Sequence, residues 1–158
     1  MICNSKPTDR AALQHLTQAI GFEDAETAEI LSSFDAAHQP ANRNGAMCFI
    51  DDDGGLQGVA YVEPERMTHG TYNLLLVAVH PHVQKQGRGT KLIRHVEDQV
   101  AEHGGRVLII ETMGTEDFAH VRRLYKRLGF VEEARIRDFY AEGYDKVVFW
   151  KSMTSLNG

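Results

Sequence analysis

Residues 77–93, VAVHPHVQKQGRGTKLI, place a buried strand, a loop with two glycines and an amphipathic helix in immediate succession. This strand is predicted to run from Thr71 to Val79, and its C-terminal part is almost continuously apolar. Such a run is typical of a central strand covered on both faces. The helix predicted from Arg88 to His103 carries its apolar residues at helical spacing. A strand that passes through a glycine loop straight into a helix indicates an α/β fold with this unit near its centre.

The loop between this strand and this helix has the properties of an anion site. Gly87 and Gly89 remove side chains where a backbone must approach something closely. The unpaired N–H groups of the first helical turn lie at the positive end of the helix dipole, and Lys85 and Arg88 add charge. The pattern predicts a diphosphate cradle, although a plain tight turn at a helix start is the alternative. Leu92 excludes a GxGxxG fingerprint, and no Walker loop is present.

The remaining elements follow from periodicity and turn residues. Two helices are predicted before residue 40, and a hairpin around Asp53-Gly54-Gly55 comes next. The expected helices and strands outside residues 71–103 are a helix between Pro7 and Gly21, Asp24–His38, Ala46–Ile50, Leu56–Val62, Arg106–Thr112, 117–128, Val131–Phe139 and Tyr144–Ser152. This order predicts an α/β fold of the α+β type, with a central mixed sheet flanked by helices on both faces. No linker divides the sequence, so residues 1–158 are expected to form a single domain.

Composition excludes several classes of protein. Hydrophobic residues make up 42% of the chain and charged residues 25%, as in an ordinary globular protein. The net charge of −5 argues against nucleic acid as a partner, because phosphate binding needs a basic face. The absence of any apolar run of about 20 residues argues against a membrane partner.

The two cysteines and the eight histidines carry little functional signal. Cys3 and Cys48 have no CxxC spacing and no secretory signal precedes them, so a reducing cytoplasm is expected rather than a disulfide framework. The sequence holds no HExxH motif and no Cys/His cluster, so no metal is expected. His80 and His82, in the HPH tripeptide, are expected to be solvated turn residues.

Two blocks resemble the GNAT superfamily of N-acetyltransferases. Residues 84–89, QKQGRG, match the family's [QR]-x-x-G-x-[GA] signature, between a strand and a helix like those of the family. Residues 124–130, LYKRLGF, are similar to the family's LYxxxGF. The resemblance extends over residues 8–152, and the segment ARIRDFYAEGYDKVVFW is similar to a tail shared by one branch of the superfamily.

The resemblance implies an acyl-CoA-dependent N-acyltransferase that uses acetyl-CoA as co-substrate and a primary amine as acceptor. The expected acceptor is a small molecule or a peptide, attacked directly by its amine, and a homodimer is possible by analogy. The family's loop amides bind the pyrophosphate, and its strand pairs with the pantetheine arm. The resemblance thus implies cofactor contacts at Val77, Ala78, Val79, Gln84, Lys85, Gln86, Gly87, Arg88, Gly89 and Thr90.

The resemblance also implies candidates for proton transfer. Tyr125 is the candidate general acid for the departing thiolate, and a half-buried core tyrosine is the alternative. Glu111 is the candidate general base, unless it only pairs with an arginine such as Arg122. Asn73 is expected to orient water or acceptor. Glu63 and Glu65, which flank Pro64, are expected to form a rim that selects the acceptor.

Other features leave alternatives open. Many family members carry an asparagine seven residues before the tyrosine, where this chain has Phe118, so that cofactor contact is in doubt. Arg135 and Arg137 are candidates for binding an acceptor carboxylate, and ordinary surface charge is the alternative. A non-catalytic acyl-CoA-binding module and a nucleotide-binding α/β regulator are the rival functions.

Overall fold

The computed structural model describes residues 1–41 and 44–154 and contains a seven-stranded mixed sheet in the order β1-β2-β3-β4-β5-β7-β6. The elements within the described residues are β1 Ile2–Asn4, α1 Arg10–Ile20, α2 Asp24–Ala37, β2 Met47–Asp52, β3 Leu56–Pro64, β4 Thr71–Val79, α3 Arg88–Glu102, β5 Val107–Met113, α4 Ala119–Arg127, β6 Val131–Ala141 and β7 Tyr144–Ser152. Short 3-10 turns precede α1, α3 and α4. The α+β class predicted from sequence is confirmed.

The first strand, β1, was not predicted from the sequence. β1 has only three residues, and it pairs antiparallel with β2 through Ile2↔Asp51, Cys3↔Ile50 and Asn4↔Phe49. Three residues are too few to show a two-residue period, so only the long-range pairing reveals the strand. The predicted helix 117–128 was also too long at its start, because residues Glu116–Phe118 form a 3-10 turn before α4.

The residues group into two compact units, each described here by itself. The first comprises Met1–Pro64 and Leu75–Asp98. In it α1 and α2 pack on one face of β2 and β3 through an apolar cluster that includes Leu16, Phe34 and Val59. Gly58, on the opposite face of β3, lies against Leu92 of α3, so helices cover both faces as predicted.

The second unit comprises residues 65–74 and 99–154. Its parallel ladder between β4 and β5 runs from Thr71↔Val107 to Leu74↔Ile110, and β5 continues antiparallel along β7. Glu111 is therefore the first β5 residue beyond the β4 ladder. This position sets the face and the neighbours of its carboxylate.

In the turn between α3 and β5, Gly105 packs closely against Val100 and Tyr72. A Cβ at Gly105 would lie 2.8 Å from the carbonyl oxygen of Val100 and 3.1 Å from the ring of Tyr72. Because backbone cannot yield as a flexible side chain does, we expect Gly105→Ala to lower the free energy of unfolding by about 3 kcal/mol. Urea denaturation measures this change.

Gly104 provides the matched control for that substitution. A Cβ there meets nothing within 4 Å, although its φ of +79° favours glycine. We expect Gly104→Ala to cost about 1 kcal/mol from backbone strain alone. Equal losses in the two variants would contradict the packing explanation for Gly105.

Candidate active site

The glycine loop of the first unit has the backbone conformation of an anion cradle. The Gln84 side chain donates from Nε2 to the carbonyl of Val79 at 3.0 Å, which fixes the loop to the end of β4. Lys85 and Gly87 both have left-handed φ values, 60° and 79°. Left-handed residues within a turn direct successive N–H groups into one concavity, and α3 then begins at Arg88. The candidate cofactor residues of β4 and the loop thus lie in one continuous segment.

Gly87 and Gly89 have different roles in this loop. A Cβ at Gly87 would meet nothing within 4 Å, so the positive φ is what favours glycine there. A Cβ at Gly89 would touch only the Val79 side chain, at 3.9 Å. Neither glycine is required by crowding within the protein, which leaves the space in front of the loop open.

Arg88 was expected to add positive charge to the anion site, but in the structure its guanidinium is ion-paired. Its guanidinium donates to Asp51 Oδ2 at 2.7 Å and to Asp53 Oδ2 at 2.6 Å. These bonds raise the pKa of Arg88 and lower that of Asp53. The arginine charge is thus compensated by two carboxylates, because β2 and the turn after it bring residues from far along the sequence to the start of α3.

A cavity of about 750 Å³ lies beside this ion-pair network in the first unit. Gln86 and Thr90 from the predicted loop contribute to its wall, together with Lys91 and Arg94 from the next turns of α3. Lys85, in the exposed part of the loop, has no ionic partner among the described residues. Lys85 and the main-chain N–H groups are therefore the donors of this loop that no described carboxylate compensates.

Tyr125 is a buried phenol in the second unit. Its ring packs against Phe149 and Phe130, with centroid distances of 5.5 and 6.2 Å. Burial raises the pKa of Tyr125 to about 12, so the hydroxyl stays protonated across the physiological range. Within residues 1–41 and 44–154 this hydroxyl has no hydrogen-bond partner, which leaves its proton free to be donated.

Glu111 lies in a polar cluster formed by β4, β5, β7 and the segment after β3. Asn73 donates from Nδ2 to Glu111 Oε1 at 3.1 Å and to Glu65 Oε1 at 2.8 Å. Lys146 Nζ lies 2.8 Å from Glu111 Oε2, and it also sits 4.1 Å above the ring centroid of Phe139. The partner of Glu111 is therefore Lys146, whereas the arginine suggested from sequence, Arg122, is elsewhere.

Arg122 instead supports the turn between β5 and α4. It donates from Nη1 to the carbonyls of Met113 and Thr115, at 2.8 and 2.7 Å. Strand register explains why Lys146 takes the place beside Glu111. Met113 pairs with Lys146 and Glu111 with Val148, so all four side chains lie on one face of the sheet.

The candidate acid and the candidate base approach from opposite faces of the β5–β7 ladder. Ile110 pairs with Phe149, whose ring contacts Tyr125. Glu111 follows Ile110 and therefore points to the other face, together with Asn73.

Glu63 is not part of this cluster. Its Oε2 accepts a hydrogen bond from the Tyr61 hydroxyl at 3.0 Å, and burial together with this carboxylate raises the pKa of Tyr61. Glu65, which the sequence placed only at the rim, is the residue that contacts Asn73. β3 ends at Pro64, so Glu65 lies beyond the strand, where alternation no longer sets the direction of its side chain, and the two carboxylates have different neighbours.

The remaining candidates have local roles. His82 N–H bonds to His80 Nδ1 at 3.3 Å and the two rings stack at 5.1 Å, which fits the predicted turn. Phe118 precedes the first residue of α4 and holds the place of the family's asparagine without a polar side chain. Arg135 pairs with Asp145 at 3.0 Å, in a cavity of about 620 Å³ that Arg137 also lines.

The two cysteines are free thiols, Cys3 and Cys48. Burial raises the pKa of the Cys48 thiol to about 11, which makes it a poor nucleophile.

Among the described residues no three His, Cys, Asp or Glu side chains converge as metal ligands would. In the same part of the chain no helix combines the length and the apolar character that crossing a bilayer requires.

A family model described as "Acetyltransferase (GNAT) domain" matches residues 43–132. The chain belongs to the GNAT acetyltransferase family. Membership makes this GNAT protein an N-acetyltransferase that takes its acyl group from acyl-CoA. No curated protein matches the chain significantly by sequence.

Solved structures share the GNAT fold along the whole chain. A protein assigned to the GNAT family from Desulfovibrio desulfuricans is 30% identical with a TM-score of 0.91, over 98% of this chain and 99% of that one. The ribosomal-protein-S18-alanine N-acetyltransferase of Escherichia coli is 22% identical with a TM-score of 0.78, over 100% and 97% of the chains. The Salmonella typhimurium protein yncA, solved with its cofactor acetyl-CoA, is 19% identical with a TM-score of 0.78, over 100% and 96%.

Proposed function

We propose that this GNAT protein transfers an acetyl group from acetyl-CoA to a primary amine by direct attack of the amine on the thioester. The observation that carries the proposal is the Glu111 carboxylate, held by Asn73 and Lys146 at the first β5 position beyond the β4 ladder. A carboxylate fixed by two partners is pre-positioned for proton transfer, and such positioning is what general base catalysis requires.

The donor is assigned to the first unit. Main-chain groups of Val77, Ala78 and Val79 bind the pantetheine arm, and residues 84–90 bind the pyrophosphate. The left-handed backbone at Lys85 and Gly87 supports this assignment, and so does the structure of yncA with acetyl-CoA. A main-chain N–H near Val77 polarises the thioester carbonyl.

The proton transfers are assigned to the second unit. Glu111 takes a proton from the acceptor's ammonium, directly or through water, and the freed nitrogen attacks the carbonyl carbon. The C–N bond forms, the C–S bond breaks, the attacking nitrogen loses its second proton to solvent, and Tyr125 donates its proton to the departing thiolate. Solvent then reprotonates Tyr125, and Glu111 releases its proton to solvent.

Three further assignments belong to the same proposal. Residues 1–158 form one catalytic domain, which the likeness over the full length of the Desulfovibrio desulfuricans protein supports. The two free cysteines support a reducing cytoplasm. A homodimer is supported by β6, whose exposed side chains include Val131, Ile136 and Phe139, because exposed apolar edge strands favour association.

Two-substrate kinetics test the direct attack. Initial rates measured at several acetyl-CoA and amine concentrations are expected to give intersecting double-reciprocal lines, because both substrates must be bound before transfer. Radiolabelled acetyl-CoA incubated without amine is expected to leave no label on the protein. Parallel lines with a labelled protein would indicate an acyl-enzyme, and acetyl-CoA binding without turnover on any amine would indicate a binding module.

A further inference from the structure

Glu65 is held rigidly although it lies outside the strands. Its backbone N–H bonds to the Thr71 carbonyl at 2.8 Å, and its own carbonyl accepts from Thr68 Oγ1 at 2.8 Å. Its carboxylate accepts from Asn73 Nδ2 at 2.8 Å. The side chain is half-buried. Backbone and side chain together fix this carboxylate at one place in the second unit.

The cluster around Asn73 carries an uncompensated negative charge. The two hydrogen bonds from Asn73 Nδ2 bring the Oε1 atoms of Glu65 and Glu111 within about 6 Å of each other. Lys146 neutralises Glu111 from the other side. Glu65 has no cationic partner in the described part of the chain, so one of two neighbouring carboxylates still lacks a counter-ion.

The amide of Asn73 holds the two carboxylates, but its own oxygen lacks a hydrogen bond. Asn73 is 3% exposed, and its Oδ1 has no partner among the described residues. A flipped amide would direct Oδ1 at two carboxylates, which would repel it. The hydrogen bonds that Nδ2 donates to these carboxylates therefore fix the orientation of the amide. A buried acceptor without a donor is destabilising and needs an explanation. Holding the two carboxylates side by side for a bound cation is such an explanation.

We propose that Glu65 binds a cationic group of the acceptor, and that the acceptor class is an alkylamine or diamine without a carboxylate beside its reactive nitrogen. This inference rests on the proposed function, since it places the acceptor next to Glu111. An ammonium supplies the missing positive charge, whereas an α-carboxylate would meet Glu65 and be repelled. Of the two arginines suggested from sequence for an acceptor carboxylate, Arg135 and Arg137, the first is already paired with Asp145.

Calorimetric titration tests the proposal with a matched pair of probes, cadaverine and lysine, which differ by the α-carboxylate. The wild-type protein loaded with CoA is expected to bind cadaverine at least about tenfold more tightly than lysine. Glu65→Gln keeps an oxygen for Asn73 and removes the charge. This variant is expected to bind cadaverine about tenfold more weakly and to lose most of the preference. Glu133→Gln, an exposed change on β6, is the control and is expected to bind like wild type.

The outcomes separate this inference from the proposed function. Binding of cadaverine that depends on Glu65, without CoA release from acetyl-CoA, would support Glu65 as the cation site and contradict the transfer reaction. CoA release on some amine, with equal probe affinities in wild type and a folded Glu65→Gln, would overturn the inference and leave the reaction standing. Failure of the wild type to bind cadaverine, or tighter binding of lysine, would also overturn it. Thermal melting of each variant establishes that it is folded.

Discussion

A Tyr125→Phe variant is expected to release CoA about 10²-fold more slowly than wild type at pH 7, with acetyl-CoA affinity nearly unchanged. Phenylalanine keeps the ring contacts with Phe149 and Phe130, so only the proton donor is lost. The deficit should shrink above pH ~8.5, because a thiol then leaves readily as the thiolate. In wild type the acid stays protonated through this range, since the pKa of Tyr125 is raised to about 12. The measurement is the rate of thiol release between pH 6.5 and 9.5.

Tyr72→Phe is the control for the loss of a tyrosine hydroxyl in the same unit. Tyr72 is half-buried and its ring lies beside Gly105, away from the ring cluster of Tyr125. We expect this variant to keep the wild-type rate. A full rate for Tyr125→Phe at pH 7, or a deficit that stays constant with pH, would show that the tyrosine serves packing rather than proton donation.

A Glu111→Gln variant is expected to lower kcat by about 10²- to 10³-fold near pH 7, because glutamine cannot accept the ammonium proton. Its side-chain oxygen can still accept from Asn73, so the hydrogen bond across the sheet is preserved. The deficit should narrow as the pH rises toward the pKa of a free alkylamine, about 10.4, because more of the acceptor arrives deprotonated. The rates are measured at saturating acetyl-CoA from pH 7 to 10.

Glu111→Gln removes both the proposed base and the ion pair with Lys146, so the two effects on the rate need separate variants. Lys146→Met also breaks the pair with Glu111 but leaves the carboxylate in place. We expect that variant to lose far less activity than Glu111→Gln, with folding followed by thermal melting. Equal losses in the two folded variants at every pH would mean that the pair positions the site and that Glu111 is not the base.

Local patterns were sufficient to predict most of the fold. The apolar run from Thr71 to Val79 and the helical spacing after Arg88 each identify an element by themselves, and both elements are found at those positions. The loop between them needed only glycine and helix-end chemistry to be predicted as an anion cradle. β1 was missed because its three residues gain strand structure only from pairing with β2.

The partners of the site residues could not be predicted in the same way. Arg88 meets Asp51, and Glu111 meets Lys146, across 37 and 35 positions of the chain. These pairs depend on strand order and register, which a single sequence does not specify. The contact between Glu65 and Asn73 was not predicted either, because it depends on how the segment after β3 folds back onto β4.

The measurement that tests the central claim most directly is thiol release from acetyl-CoA by the wild-type protein against a panel of amines. The panel includes alkylamines, diamines, amino acids and peptide N-termini. The proposed function predicts that at least one class accelerates CoA release and that the same amine is recovered as its N-acetyl product. Tight binding of acetyl-CoA with no acceleration by any amine would contradict acetyl transfer and leave a protein that only binds the cofactor.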